Sequence, residues 1–427
     1  MDASMTRTTA VAAVSLALTL GGGASAQGPS IPAWDPGTKF SIDPSLPEAP
    51  QPGARFGFAV AMTDDVAVIG APDVRLTDRR FNASTNGAGA AFVFARTPGT
   101  DSWTFVQRLI APTRALAQTG CSVTIDPSTQ DIVVGAWGYD VITSFGGAAF
   151  VYSKGSGNSW GEAANAAAFG ARTRVPTFTI APEDLQSIDQ FGFSVAADGG
   201  TLAVGCPLSG NSNTGAIYMY DRQPNGSYQF KQRLTDEASG ANDQLGTKIA
   251  LDGDLLAAGV QNNDVQGRPN AGSVQVYRRT GGSWAPAAQL LSPAITASAQ
   301  FGSAVAVRDG ANGWIIAGSP TQAIGRTSPV SGNGAAYVFR SLDGGASWSL
   351  DATLLARTDN VNNNFGYAVA LSRTDPPQAL VGAPGYESAA VSQADPTRFT
   401  QVVNAGAAFA FSRGPVSYTH LTLPTKA

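Results

Sequence analysis

The chain of 427 residues has very little of the side-chain chemistry on which many enzymes depend. It contains one histidine, His420, and two cysteines, Cys121 and Cys206. Apart from His420 there is no imidazole, which excludes Ser-His-Asp and Cys-His catalytic arrangements and histidine zinc sites from the body of the chain. Two cysteines are too few for a cysteine-based metal site, and no GxxxxGK phosphate loop is present.

Charge is also scarce, at 14% of residues, with a net charge of -4 and 27 basic residues. No basic excess is available to neutralise a phosphate backbone, so the sequence predicts no nucleic-acid partner. Glutamate is rare as well, with 5 residues against 26 aspartates. Because aspartate favours turns and glutamate favours helices, this ratio and the 49 glycines indicate a turn-rich chain with a large core.

No run of apolar residues reaches the roughly 20 that a membrane-spanning helix requires. The N-terminus instead carries Arg7, a shorter apolar run over residues 10–20, and Ala24-Ser25-Ala26. This order is typical of a secretory signal peptide, which we predict to cover residues 1–26. The mature protein is therefore expected to be soluble and exported, in the periplasm, outside the cell or at the cell surface.

Two short motifs recur along the chain at matching positions. A Phe-Gly pair or its variant opens an alternating apolar segment, and a second apolar run ends in Gly-Ala-Pro or its variant. Period-2 alternation bounded by Gly, Asp and Pro is typical of short strands. The six copies of the pair are Phe56-Gly57, Thr119-Gly120, Phe191-Gly192, Leu245-Gly246, Phe301-Gly302 and Phe365-Gly366.

Each copy continues with a third strand-like segment, and four copies have a clear fourth. The third begins at Gly89, Gly147, Gly215, Gly272, Gly334 and Gly406. The fourth has an aromatic residue six positions before a leucine, as in Trp103 and Leu109; in the second copy, Trp160 opens an insertion before Arg174. Four strands recurring every 54 to 72 residues predict an all-β fold, a β-propeller of four-stranded blades.

These motifs resemble the FG-GAP repeat family, which forms the propellers of integrin α-chains and occurs in many exported bacterial proteins. The resemblance covers residues 55–413. It implies that Phe fills the wedge between blades and that Gly allows close backbone approach. Family propellers usually have seven blades, so it also implies either a six-bladed ring or a seven-bladed ring lacking one blade.

Some integrin blades bind calcium through a loop of the form Asp-x-Asp/Asn-x-Asp-Gly-x-x-Asp between the first two strands. Here the corresponding links lie at residues 63–65, 126–131, 198–201, 252–254, 308–313 and 372–377, and none has that spacing or number of oxygen ligands. We therefore predict no cofactor and no metal, and interpret Asp252-Gly253-Asp254 and its equivalents as hairpin turns.

The two ends of the chain carry separate predictions. Residues 27–54 form an N-terminal segment whose residues 39–43 resemble the strand that closes the integrin ring. Residues 414–427 resemble a translated sequencing adapter, and we interpret them as a non-native tail after a truncated gene. The alternative is a genuine outer strand of the sixth blade, because Tyr418, Leu421 and Leu423 imitate the fourth-strand pattern.

Two further sets of residues suggest covalent or catalytic features. Cys121 and Cys206 fall on the same rim of neighbouring blades, where they either form a disulfide or remain separate buried thiols. The segment Ser341 to Trp348 resembles the Asp-box of sialidases, but that box is a structural turn and occurs once. Glycoside hydrolysis needs a carboxylate pair or a tyrosine nucleophile, which the five scattered glutamates do not indicate.

The sequence therefore favours an exported, non-catalytic propeller of the adhesion type that binds a protein or carbohydrate through rim loops. A propeller glycoside hydrolase or lyase and a structural spacer of a larger surface protein are the alternatives. The links between second and third strands vary most, so we expect the binding residues there. The candidates are Trp137 and Tyr139 in the second copy and Tyr386 and Glu387 in the sixth; the sequence does not predict the oligomeric state.

Overall fold

The computed structural model describes residues 40–78, 83–112, 115–236, 239–323, 333–356, 363–386, 388–391, 399–402, 406–413 and 419–421. Most of its strands form six blades, each with four antiparallel strands, which we number 1 to 6 in chain order. The inner strands of consecutive blades lie side by side around the propeller axis. This confirms the predicted all-β propeller, and the one helix among these residues, Ala166–Phe169, is a single turn.

The blades have the following strands, given from the inner to the outer strand. Blade 1 contains Ala59–Met62, Val66–Ala71, Ala90–Arg96 and Trp103–Leu109. Blade 2 contains Ser122–Ile125, Ile132–Ala136, Ala148–Tyr152 and Phe178–Ile180. Blade 3 contains Ser194–Asp198, Thr201–Cys206, Ala216–Arg222 and Tyr228–Leu234.

Blades 4 to 6 repeat the same order. Blade 4 contains Lys248–Asp252, Leu255–Val260, Ser273–Thr280 and Ser283–Leu290. Blade 5 contains Ala304–Arg308, Gly313–Ser319, Ala335–Ser341 and Ser349–Leu354. Blade 6 contains Ala368–Leu371, Ala379–Ala383, Ala407–Ser412 and Thr419–Leu421.

Two hairpins and one insertion complete the described strands. The hairpins are Leu76–Asp78 with Ala83–Thr85 in blade 1, and Ser388–Val391 with Phe399–Val402 in blade 6. The insertion of blade 2 contributes Glu162–Ala163 and Thr173–Val175, and the latter pairs in parallel with the outer strand of blade 1. The insertion therefore links the first two blades through main-chain hydrogen bonds.

The Phe-Gly pairs of blades 2 to 6, including the variants Thr119-Gly120 and Leu245-Gly246, lie between blades, as the family resemblance implies. The Phe191 side chain is fully buried, and its ring meets Tyr218 edge-on at 5.5 Å between centroids. The cluster around it joins Val133 and Val151 of blade 2 to Val195 and Val204 of blade 3. Because apolar burial is the main stabilising term in folding, each such cluster stabilises the contact between two blades.

Glycine allows the backbones of neighbouring blades to touch. A Cβ atom added to the second-strand glycine of blades 1 to 5 would lie 1.8 to 2.1 Å from a carbonyl oxygen of the next Phe-Gly glycine. These five glycines are Gly70, Gly135, Gly205, Gly259 and Gly318. A main-chain hydrogen bond crosses each of these junctions. The first residue of the Phe-Gly pair in one blade donates its N–H to a carbonyl of the preceding blade, that of the residue just before the third-strand glycine, over 2.8 to 3.1 Å.

The chain ends contact blades 1 and 6. Residues 40–43 are not a strand; the Phe40 ring instead packs on Phe94 at 5.1 Å and on Trp103 at 5.5 Å. The segment therefore covers the outer part of blade 1 through side chains, without extending its sheet. At the other end, Thr419–Leu421 pairs with the third strand of blade 6, as in the outer-strand alternative. The non-native origin of residues 414–427 stays a prediction.

Candidate functional site

Antiparallel connection gives the propeller two different rims. On one rim, which we call the turn rim, 2 to 7 residues join the inner strand to the second strand. On the other, the loop rim, 5 to 19 residues separate the turn after the second strand from the glycine that opens the third. The connections on the loop rim therefore differ in length between blades much more than those on the turn rim.

Carboxylates hold the turn rim together. Asp126, Asp198 and Asp252 each accept a hydrogen bond from a backbone N–H of the next blade, at 2.6 to 2.8 Å. The buried Asp131 carboxylate pairs with the Arg222 guanidinium of blade 3 at 2.7 Å. These carboxylate oxygens therefore serve hydrogen bonds and an ion pair between neighbouring blades.

The loop rim begins with the same turn in every blade. In each, the residue four positions after the second-strand glycine donates its N–H to a carbonyl three residues back, and its own carbonyl accepts the N–H of the third-strand glycine. These pinning residues are Val74, Tyr139, Ser209, Asn263, Gln322 and Tyr386. These two hydrogen bonds hold both ends of each loop-rim link in the same geometry in all six blades. The residues between the two ends are where the links differ from blade to blade.

Two of the predicted binding residues occupy this pinning position. Tyr139 is buried, with 6% of its surface exposed, and its ring packs edge-on against Phe150 at 5.0 Å. Tyr386 is half-buried and packs in the same way on Phe409 at 5.3 Å. The two tyrosines are equivalent, as predicted, but the Tyr139 ring fills the blade and does not present an aromatic face to a ligand.

The other two predicted residues differ in their placement. Trp137 is half-buried and stacks on Phe145, with centroids 6.3 Å apart and planes inclined by 27°. It therefore remains on the loop rim as a partly accessible aromatic residue. Glu387 lies outside the described residues.

Sequence reasoning missed a group of exposed apolar residues around the link of blade 2. Leu116, Val141, Ile142 and Ile188 expose 41 to 56% of their surface. Leu116 precedes Ala117, whose carbonyl accepts the Gly138 N–H, and the Ile188 N–H donates to the Ser144 carbonyl at 2.9 Å. We call these four residues with Trp137 the apolar rim patch. The sequence could have indicated this patch, because its apolar residues lie in links and not in the alternating strand segments.

The Asp-box segment forms a closed turn. Asp343 accepts hydrogen bonds from the Ser341 hydroxyl at 2.7 Å and from the Ser347 backbone N–H at 2.9 Å. The Ser347 hydroxyl and N–H hold the pKa of the Asp343 carboxyl below its usual range. Because Asp343 bonds within its own turn, the geometry supports the structural interpretation of this box.

The two cysteines are separate buried thiols, and the predicted alternative of a disulfide is not formed. Their Sγ atoms donate to different carbonyls: Cys121 to Gly192 at 3.5 Å, and Cys206 to Asp189 at 3.3 Å. Burial raises the pKa of the Cys121 thiol to about 11 and that of Cys206 well above its usual value. Both thiols are therefore poor nucleophiles in the folded protein.

A thiol reagent checks this arrangement. We expect fewer than about 0.1 reactive thiols per folded chain at pH 8, because the thiolate is the reacting form and both groups are buried. Denaturation without reductant should release two. Because the folded pKa of Cys121 exceeds the unfolded one, its contribution to stability is complete below pH 9 and decreases as the pH rises towards 11. A count of zero after denaturation would instead establish the disulfide.

Comparison with known proteins adds to this geometry. The FG-GAP repeat model matches residues 47–94 and 177–220, which span most of blade 1 and the region from the outer strand of blade 2 to the third strand of blade 3. No curated protein matches the chain. Among the described residues, no helix is long and apolar enough to cross a membrane. The chain is therefore a β-propeller that contains FG-GAP repeats, with similar contacts between backbones at five junctions between blades.

Proposed function

We propose that the protein is an exported, non-catalytic recognition module whose loop rim binds a protein or glycan partner. The single observation that carries this proposal is the asymmetry between the rims. Turn-rim carboxylates bond to neighbouring blades, whereas the loop rim has long links and exposed apolar side chains. Variable loops on a rigid scaffold are where proteins commonly place recognition residues.

The apolar rim patch favours a protein partner over a glycan. Ile142 and Ile188 lie in loops and expose 50% and 56% of their surface. Exposed apolar residues that lie near one another are a feature of interaction surfaces. Half-buried Trp137 beside them is the residue type that contributes most at binding hot spots. Glycan binding through the same aromatic residue is the other outcome of the test.

The proposal of a non-catalytic role also rests on how the acidic residues are used. Asp131 pairs with Arg222, and Asp343 closes its own turn. A carboxylate pair for glycoside hydrolysis needs two groups facing the same substrate bond. These aspartates instead serve the contacts between strands and blades. Export is the part of the proposal that the N-terminal 26 residues support.

The test combines binding screens with charge placed in the patch. Labelled protein is screened against extracellular proteins and against immobilised glycans, and each partner is then measured with the double variant Ile142→Asp, Ile188→Asp. We expect the affinity to fall at least about tenfold, because each aspartate would have to lose water against an apolar partner surface. Thermal unfolding should be nearly unchanged, since both side chains are exposed.

Leu342→Asp is the matched control. Leu342 is 69% exposed and lies in the turn between the third and outer strands of blade 5, on the turn rim. It receives the same chemical change away from the patch, so affinity should stay within about twofold of the original. Equal losses in the two variants, or no loss in the patch variant for any partner found, would contradict a binding site on the loop rim.

A further inference from the structure

A cavity of about 290 Å³ lies beside the outer strand of blade 1, where four segments of the chain meet. The segments are residues 45–51, the hairpin strand Leu76–Asp78 with the residue before it, the outer strand Trp103–Leu109 and the helix Ala166–Phe169. Pockets that bind small molecules have volumes from about 300 to 1,000 Å³, so this cavity is of nearly that size. The apolar rim patch includes none of its residues.

Arg75 brings a positive charge to the wall of the cavity. Its side chain is exposed and, among the described residues, has no hydrogen bond and no ion pair. Strand alternation places Arg75 and Thr77 on one side of the hairpin, whereas Leu76 is buried in the core of blade 1 on the other side. The Thr77 hydroxyl, 3.0 Å from the Ser84 hydroxyl, can accept from that serine and donate into the cavity.

Arg108 provides a second guanidinium, which is held in a fixed position. Only 5% of its surface is exposed. Its Nη1 donates to the Pro47 carbonyl at 3.2 Å, and its Nη2 donates to the Phe169 carbonyl at 2.7 Å and to the Thr173 hydroxyl at 3.2 Å. These bonds tie the N-terminal segment and the insertion of blade 2 to the outer strand of blade 1. The guanidinium is therefore in place before a ligand arrives, which lowers the ordering cost of binding.

Among the described residues, no acidic side chain lines the cavity. Two carboxylates close by in the sequence bond to the main chain: Asp43 accepts the Ser45 N–H at 2.9 Å, and Glu48 accepts the Arg172 N–H at 3.1 Å. By contrast, two cavities beside the outer strands of blades 3 and 4, of about 330 and 390 Å³, both have Asp236 in their walls. The charges of the cavity beside blade 1 thus favour an anionic ligand.

We infer that this cavity binds a phosphate or sulfate ester of a small organic molecule. Arginine suits such a group, because its planar guanidinium can donate two parallel hydrogen bonds to an oxyanion. Arg75 and Arg108 bind the anionic group, and the hydroxyls of Ser45 and Thr77 are further donors in the same wall. Phe169 and small apolar residues of the N-terminal segment form the rest of the wall, against which the organic group lies.

The size of the cavity distinguishes an ester from a free inorganic anion. A water molecule takes roughly 30 Å³ in the liquid, and an inorganic phosphate is only a little larger. Most of the cavity is then left for an organic group beside Phe169. The inference does not depend on the proposed binding role of the loop rim.

The test measures the binding of phenyl phosphate and phenyl sulfate to the full chain by isothermal titration calorimetry at constant ionic strength. Inorganic phosphate and phenol are the reference ligands. We expect one of the two esters to bind at least about fivefold more tightly than either reference, because it joins an oxyanion to an apolar ring. The ester with the higher affinity identifies the preferred anion. Arg75→Gln should weaken its binding at least about tenfold, because a charge-assisted hydrogen bond is lost.

Arg268→Gln is the matched control. Arg268 is also exposed and, in the described part of the chain, its side chain has no hydrogen bond or ion pair, but it lies in a link of blade 4. The affinity for the ester should stay within about twofold of the original. Both variants should unfold at nearly the original temperature, since both side chains are exposed, so a loss of affinity cannot be attributed to unfolding.

Three results would overturn the inference. They are no saturable binding of either ester at millimolar concentration, equal losses of affinity in Arg75→Gln and Arg268→Gln, and equal affinities for inorganic phosphate and for both esters. The loop rim is tested separately, because the double variant Ile142→Asp, Ile188→Asp should bind the esters as the original chain does. Failure of the cavity and failure of the loop rim are therefore distinguishable.

Discussion

Phe191→Ala should lower the free energy of unfolding by about 4 kcal/mol, the middle of the range for truncating a buried aromatic side chain. The ring is fully buried and contacts Tyr218 and Tyr220 edge-on, at 5.5 and 6.4 Å between centroids. Alanine removes both contacts and leaves a cavity between blades 2 and 3. Main-chain hydrogen bonds hold the blades on either side, so the cavity cannot collapse fully. Denaturant unfolding monitored by tryptophan fluorescence measures the change.

Two companion substitutions separate burial from the mere loss of an aromatic ring. Phe191→Leu keeps most of the apolar volume and should cost less than about 1.5 kcal/mol. Phe58→Ala removes the same side chain from a position that is 54% exposed, and should cost less than about 1 kcal/mol. Similar decreases in the free energy of unfolding for Phe191→Ala and Phe58→Ala would contradict a stabilising role of the buried Phe191 ring between blades 2 and 3.

Gly259→Ala should cost about 3 kcal/mol, at the high end for forcing one methyl group into a packed interior. The added Cβ atom would lie 1.8 Å from the Gly302 carbonyl oxygen of blade 5, and backbone cannot move aside as a flexible side chain can. Gly259 does not adopt a left-handed φ, so the cost is steric contact between blades and not backbone strain. Thermal and denaturant unfolding of the variant give the value.

Gly382→Ala is the same change at the equivalent position of blade 6. Its Cβ atom would approach Ala368, whose nearest atom is its Cβ at 3.5 Å, an ordinary van der Waals contact. We expect a change within about 0.5 kcal/mol. A large destabilisation by Gly382→Ala, or none by Gly259→Ala, would contradict the assignment of these glycines to close contacts between consecutive blades.

Much of the propeller could be predicted because its information is local. Alternation in segments such as Val66–Ala71, and the glycine and proline that end them, indicate strands without reference to distant residues. One further local signal was available and unused: Gln118, Gln190, Gln244 and Gln300 each precede the glycine-containing pair, and each has a left-handed φ of 53 to 61°. Polar side chains that tolerate this conformation mark the turn into each blade.

The accessibility of the candidate binding residues could not be predicted from the sequence, because it depends on neighbours in space. Tyr139 and Ile142 lie in the same link, yet the tyrosine packs on Phe150 inside the blade and the isoleucine is half exposed. From the sequence, the tyrosine was expected to be the exposed residue of the two, because aromatic residues often anchor binding interfaces. Cys121 and Cys206 are a similar case. The repeat predicts that they lie on the same rim, but it does not show that each thiol donates to a different carbonyl.

By itself the sequence determined the repeat, the six blades and the strand order, because strand alternation and turn residues act over a few positions of the chain. Its composition also determined that few side chains of the usual catalytic types are present. Only the tertiary structure decided which turns are closed by carboxylates and which loop residues face solvent. It also decided that Leu380 is exposed where its equivalents in blades 1 to 5 are buried, and that Val60 is far more exposed than Val123 and Val195. Those properties depend on what the next blade supplies, and a residue's own segment looks the same whether that neighbour is present or absent.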